Sequence, residues 1–114
     1  MDLSQKEFEL VITIVNRGFA DEVMDAAKAA GATGGTVLYG RGTGIHEAEK
    51  FFGITILPEK EVVLILTPLK TRNAIMKAIC KGAGLSTEGH GISFSLPVED
   101  VMGIVHLDQW EPKG

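Results

Sequence analysis

Apolar residues recur along the chain with two periods, and the switches between them mark out the elements. Residues 8–15 read Phe-Glu-Leu-Val-Ile-Thr-Ile-Val, β-branched and apolar, too short and too rich in Val and Ile for an ordinary helix. Phe8, Leu10, Ile12 and Ile14 share one face of this strand. Glu9, Val11, Thr13 and Val15 share the other, which is only partly polar. A strand apolar on both faces belongs inside a sheet covered on both sides. After a connection at 16–19 the period changes: Ala20, Val23, Met24, Ala27 and Ala30 fall at helical spacing. Asp21 and Glu22 sit in the first turn, where the helix dipole favours acids, and Gly31 is a natural C-terminal stop. A second strand is expected over 35–39, after a glycine-rich turn.

The chain then reads Gly40-Arg41-Gly42-Thr43-Gly44 and stays polar to Lys50. This least core-like stretch is expected to be a loop of about 15 residues, a length usually functional or disordered in a small domain. Residues 61–66 form a third strand. Thr67 is placed as an N-cap and Pro68 at the first helical position. The following helix carries Ile75, Met76, Ile79, Cys80 and Ala83 on its apolar face and ends at Gly82 or Gly84. A second polar, glycine-rich loop covers 85–91. A fourth strand alternates, with Ile92, Phe94 and Leu96 expected inward and Ser93 and Ser95 outward, and Pro97 ends it. Residues 98–104 make a turn or bend, and the tail 105–114 offers a further edge strand.

The order β-α-β-loop-β-α-β describes an α+β, ferredoxin-like βαββαβ sandwich, a four-stranded antiparallel sheet with both helices on one face. The other face is left bare, and Val11, Val15, Val63 and Ile65 are expected there. An exposed apolar face implies a partner, here a homo-oligomer. At 114 residues the chain is one domain, with the loop at about 41–57 and the tail at about 105–114. One cysteine excludes an internal disulfide and any all-cysteine metal site within the chain. A net charge of −4 is the wrong sign for a general nucleic-acid binder. Residues 1–9 are polar and mixed in charge, and the apolar runs at 10–15 and 62–66 fall far short of the roughly 20 residues of a membrane span. The expectation is a soluble cytoplasmic protein. With 14 glycines and only 6% aromatics, the core is aliphatic and the glycines serve turns or close approaches.

The first glycine loop has no Walker lysine and opens no helix, so it is not a P-loop. Its glycines let backbone amides reach an anion, with Arg41 adding charge, or they simply root a flexible loop. The second, Ser86-Thr87-Glu88-Gly89-His90-Gly91, exposes His90 to solvent or to a ligand. His46, Glu47 and Glu49 share one loop, but His90 and His106 meet them only across a subunit boundary, which leaves a metal site weakly supported. Ser86, Ser93 and Ser95 lack a nucleophile-elbow context, Cys80 lies on an apolar helix face, and the carboxylates are scattered. No catalytic set stands out, so the protein reads as a non-enzyme.

The entry Ile12-Thr13-Ile14 through Asp21-Glu22-Val23, the glycine turn to Thr36, Gly42-Thr43-Gly44, and the stretch Gly89-His90-Gly91-Ile92-Ser93-Phe94-Ser95-Leu96-Pro97-Val98-Glu99 resemble P-II signalling proteins over about residues 8–104. The resemblance implies a cytoplasmic homotrimer for nitrogen regulation, with no required cofactor. Its intersubunit clefts would bind an adenine nucleotide, and its mobile loop would control a membrane transporter or metabolic enzyme. By position, Ile14, Thr36, Gly42, Thr43 and Gly44 line one side of the cleft, and Gly89, His90, Gly91 and Phe94 the other. The departures are as telling. Ile92 stands where the family has a phosphate-binding lysine, and Gly103 and Val105 stand where it has two arginines. The glutamine that helps hold magnesium falls at His46 or Gly42. Arg41, His46 and His90 restore part of the charge. Charge-assisted hydrogen bonds are worth about 1.5–3 kcal/mol each, so the losses favour AMP or ADP over ATP. The loop is shorter than the family's and holds no tyrosine, since the only one is Tyr39, but it carries Phe51 and Phe52, suited to a partner contact. The alternative is a metal-binding trimer resembling the divalent-cation tolerance proteins, with His46, Glu47 and His90 as ligands.

Overall fold

A computed structural model describes residues 7–43, 49–51, 53–87 and 90–103. β1 (Phe8–Asn16) leads through α1 (Ala20–Ala29) to β2 (Thr36–Arg41), β3 (Glu49–Phe51), β4 (Ile54–Ile56) and β5 (Glu59–Pro68). α2 (Leu69–Gly82) and β6 (Gly91–Val98) follow. The main sheet is antiparallel in the order β2-β5-β1-β6, which is the ferredoxin-like arrangement, with the two most apolar strands in the middle. β3 and β4 pair separately as a short hairpin, so the expected long loop has structure of its own. β2 runs on to Arg41, two residues further than its pattern indicated. Pro97 does not end β6; it pairs with Glu9, as an edge strand tolerates.

The helices cover the face opposite to the one expected. Val11, Val15, Val63 and Ile65 are completely or almost completely buried, against Val23 and Ala27 of α1 and Ile75 and Ile79 of α2. The bare face carries Leu10, Ile12 and Ile14 of β1, Val62, Leu64 and Leu66 of β5, and Ile92, Phe94 and Leu96 of β6. Ile92, Phe94 and Leu96 therefore point out, and Ser93 and Ser95 face the helix side, the reverse of the sequence expectation. Polarity misled because the polar residues of the covered face find partners there. Thr13 Oγ1 and Ser93 Oγ lie 3.0 Å apart in a hydrogen bond, and buried Glu9 accepts from Arg72 of α2 at 2.9 Å. A satisfied polar group can be buried at little net cost.

Both helices start without a local side-chain cap. Thr67 belongs to β5 rather than capping α2; its hydroxyl contacts Thr71 Oγ1 and the Pro68 carbonyl instead. For α1 the missing cap is supplied from across the sheet. Buried Glu61 of β5 accepts hydrogen bonds from the amides of Gly18 at 2.8 Å and Ala20 at 3.0 Å. Its negative charge also meets the positive end of the helix dipole. The other end stops as expected, with Gly31 at a φ of 112° donating to Lys28 O. Glu61→Ala is expected to cost about 1–3 kcal/mol by leaving two donors at a buried helix start, with Glu61→Gln recovering part of the loss. Urea unfolding at a fixed protein concentration measures it.

Candidate ligand site

The sheet register brings the two glycine loops to one end of the molecule. β2 leaves the sheet at Arg41, opposite Glu59, and β6 enters it at Gly91, opposite Val15. These positions lie at the same end, because Asn16 pairs with Lys60 and Val15 with Glu61. The loops hang from opposite edges, three strand spacings or roughly 14 Å apart. Between them, on the bare face, runs a continuous apolar row: Leu38, Val62, Ile14 and Ile92. A second row follows with Thr36, Leu64, Ile12 and Phe94. Leu38 and Ile92 are about half exposed, at 48% and 57%. A single ion cannot touch both loops of one chain at this separation. An elongated molecule with an apolar body can lie across the row and reach amides at either edge.

Charged groups concentrate at the root of the first loop. Glu59 accepts from Arg17 and lies 3.7 Å from Arg41, two guanidiniums sharing one carboxylate. The hydrogen bond and charge of Glu59 push the Arg17 guanidinium above its ordinary pKa. The Gly42 amide donates to Pro58 O at 3.2 Å, so the two ends of the loop are tied together. Lys60 donates to Asn16 Oδ1 at 2.6 Å beside this root. The surplus of basic over acidic groups at the Arg17, Arg41 and Glu59 cluster suits an anionic end of a ligand.

The second loop is held by consecutive turns, Thr87 N to Gly84 O and His90 N to Thr87 O. His90 is exposed, as expected of a histidine between glycines. Gly91 is a position only glycine fits. Its φ is 138°, and a Cβ there would stand 2.5 Å from Ile14 O and 3.0 Å from Val15 Cγ1. That close approach seats the loop directly against the end of the apolar row.

Of the expected site residues, Ile14 and Phe94 lie in the rows and Thr36 at their β2 edge. Arg41, Gly42 and Thr43 cluster at one side and His90 and Gly91 at the other. Gly44, His46, Glu47, Phe52 and Gly89 lie outside the described residues, as does the side chain of Phe51. Among the described residues no group of three or more His, Cys, Asp or Glu side chains is placed to hold a metal, and no helix is long and apolar enough to cross a membrane. Sequence reading missed Leu38 and Val62 as floor residues and Glu59 as the clasp of the loop root. The alternation of 62, 64 and 66 against 63, 65 and 67 was available, but both sets are largely apolar and the pattern does not say which is covered.

Gly91→Ala is expected to cost about 1–3 kcal/mol through backbone strain and to loosen the start of β6. Faster amide exchange at residues 91–93, beyond any change in the core of β1, is the measurement.

The family model of nitrogen regulatory protein P-II matches residues 8–106. A crystal structure of Arabidopsis thaliana PII bound to citrate is similar with a TM-score of 0.69 and 26% identity, covering 86% of this chain and 83% of that one. Among curated proteins, none matches significantly. The match runs from β1 through both glycine loops to the end of β6, and the sheet order and loop placement agree with it: this chain belongs to the P-II family.

Proposed function

We propose that the protein is a non-catalytic P-II-type signalling protein of the cytoplasm that works as a homotrimer. Its bare sheet face is buried against two further copies. Each cleft that this creates, at the end of the sheet carrying both glycine loops, takes an adenine nucleotide with few phosphates. The bound nucleotide repositions the loop at 41–57, which controls a transporter or enzyme. The observation that carries this reading is the apolar row Leu38, Val62, Ile14 and Ile92 with a glycine loop at each end. A flat base has an apolar floor there, and backbone amides and Arg41 stand at its edges. A ligand shifts the loop only if it binds the two loop states with different affinity, and the ties at its root, Arg41 to Glu59 and Gly42 to Pro58, are the contacts placed to differ.

The choice of AMP or ADP over ATP rests on Ile92. A half-exposed isoleucine at the mouth of the second loop, where the family has a lysine, adds floor and removes a cation. The PII of Arabidopsis was solved with citrate, a small multivalent anion, so small anions belong in the same assay.

Calorimetric titration with AMP, ADP, ATP, citrate, bicarbonate and zinc, with magnesium varied, is expected to rank AMP or ADP above ATP. Ile92→Lys is expected to raise ATP affinity by about 10- to 100-fold, one charge-assisted hydrogen bond's worth, while leaving AMP nearly unchanged. Binding of zinc alone, with silence from every nucleotide, contradicts the reading and favours the metal-binding alternative.

A further inference from the structure

α2 carries Lys70, Arg72, Lys77 and Lys81 and no acid, in a chain whose 15 acidic residues outnumber its 11 basic ones. Arg72 turns inward to Glu9 of β1, at 2.9 Å. The three lysines are exposed and turn the other way. At about 3.6 residues per turn, Lys70, Lys77 and Lys81 return to within about 40° of one line, opposite buried Ile75 and Ile79. The stripe they form is about 16 Å long at roughly 1.5 Å per residue. Asn73 and Ala74, the exposed residues between Lys70 and Lys77, add little bulk to it.

The helix itself gains little from this arrangement. Lys81 suits the negative end of the dipole, but Lys70 lies in the first turn, where a base is unfavourable and no acid offsets it. Lys77 and Lys81 stand at i, i+4 spacing, where like charges repel. Among the described residues none of the three is ion-paired; the pairs there are Arg17–Glu59, Arg41–Glu59 and Arg72–Glu9. A row of one sign without compensation raises the local potential and favours an anionic partner.

The surroundings narrow the class of partner. α1 packs beside α2 and exposes Asp21, Glu22 and Asp25. Packed helices lie about 8–10 Å apart, so a flat anionic bilayer touching the stripe would also meet these carboxylates. A single acidic helix, about 10 Å across, lies along α2 alone. The stripe is on the helix side of the sheet, so assembly through the bare face leaves it open to solvent.

We propose that the outer face of α2 is a docking surface for an acidic helix of a partner protein, which sets a carboxylate against each of Lys70, Lys77 and Lys81. This contact is separate from the loop at 41–57 and from both glycine loops, and it stands independently of the nucleotide reading. Because its charges are exposed, it steers encounter and weakens with salt.

Fluorescence anisotropy of a labelled alanine-based helical peptide, with glutamates along one face, tests this on the full-length protein. The peptide is expected to bind at low ionic strength and to be released at about 1 M salt, where the screening length falls to about 3 Å. Its glutamine counterpart is expected not to bind. The double variant Lys77→Glu, Lys81→Glu is expected to weaken the glutamate peptide about tenfold or more, while Asp25→Asn leaves it equal or slightly tighter. Circular dichroism checks that the variants keep their fold, and nucleotide affinity is expected to stay unchanged in both. Equal affinity of the double variant and the wild type overturns the proposal, because the peptide then sits elsewhere. No binding of the glutamate peptide at low salt overturns it too. So does a protein that ignores the peptide but co-sediments with phosphatidylserine vesicles in a lysine-dependent way, which makes the stripe a membrane contact.

Discussion

Most of this protein's behaviour depends on one uncovered surface. A four-stranded sheet has two faces, and two helices cover one of them. The other presents leucine, isoleucine, valine and phenylalanine in successive rows across all four strands. Burying one such side chain is worth about 1.5–3 kcal/mol, so leaving a whole face in water forgoes more than the usual stability of a small domain. The fold is therefore complete only when that face meets another surface. The candidate site, with a glycine loop at each edge, lies at the rim of that face.

The helix-covered face shows how the chain sets its layers apart. Glu61 reaches from β5 to the start of α1, Arg72 of α2 reaches to Glu9 of β1, and Thr13 binds Ser93 between β1 and β6. Each is a polar contact inside the covered layer, and each fixes one element against another. On the bare face the rows between Thr36 and Leu96 are apolar, and the polar pair Lys60 and Asn16 sits at their rim. The covered face has direction and register; the bare face offers area. That division lets the loops at its rim vary without disturbing the core.

Much of this was legible in the sequence. The switch from a period of two to one of 3.6 gave the element order, and Gly31 marked the end of α1, while the end of α2 was narrowed to Gly82 or Gly84 and falls at Gly82. The two glycine loops stood out by composition, although the close approach that requires Gly91 at the start of β6 did not. The sidedness of the sheet was not legible. β1 and β5 are apolar on both faces, and the tie was broken by Thr13, Ser93 and Glu9 pairing inside, which no one-residue scale reports. A polar residue in an alternating strand marks solvent only if it has no partner in the core. The hairpin in the long loop did leave a signal: Glu49–Phe51 and Ile54–Ile56 flank Gly53, whose φ of 81° suits the turn. It was overshadowed by the glycine-rich stretch before it. The loop's central residues, His46 and Phe52 among them, and the tail lie outside the described residues.

The central claim, that the bare face is covered by other copies of the chain, is tested most directly by sedimentation equilibrium. The wild-type protein at micromolar concentration should give three times the mass of the 114-residue chain. Leu64→Asp, a charge in the middle of the face but outside the helix-packed core, should give a folded single chain. A wild-type protein that sediments as one chain, with the face in water, would contradict the account.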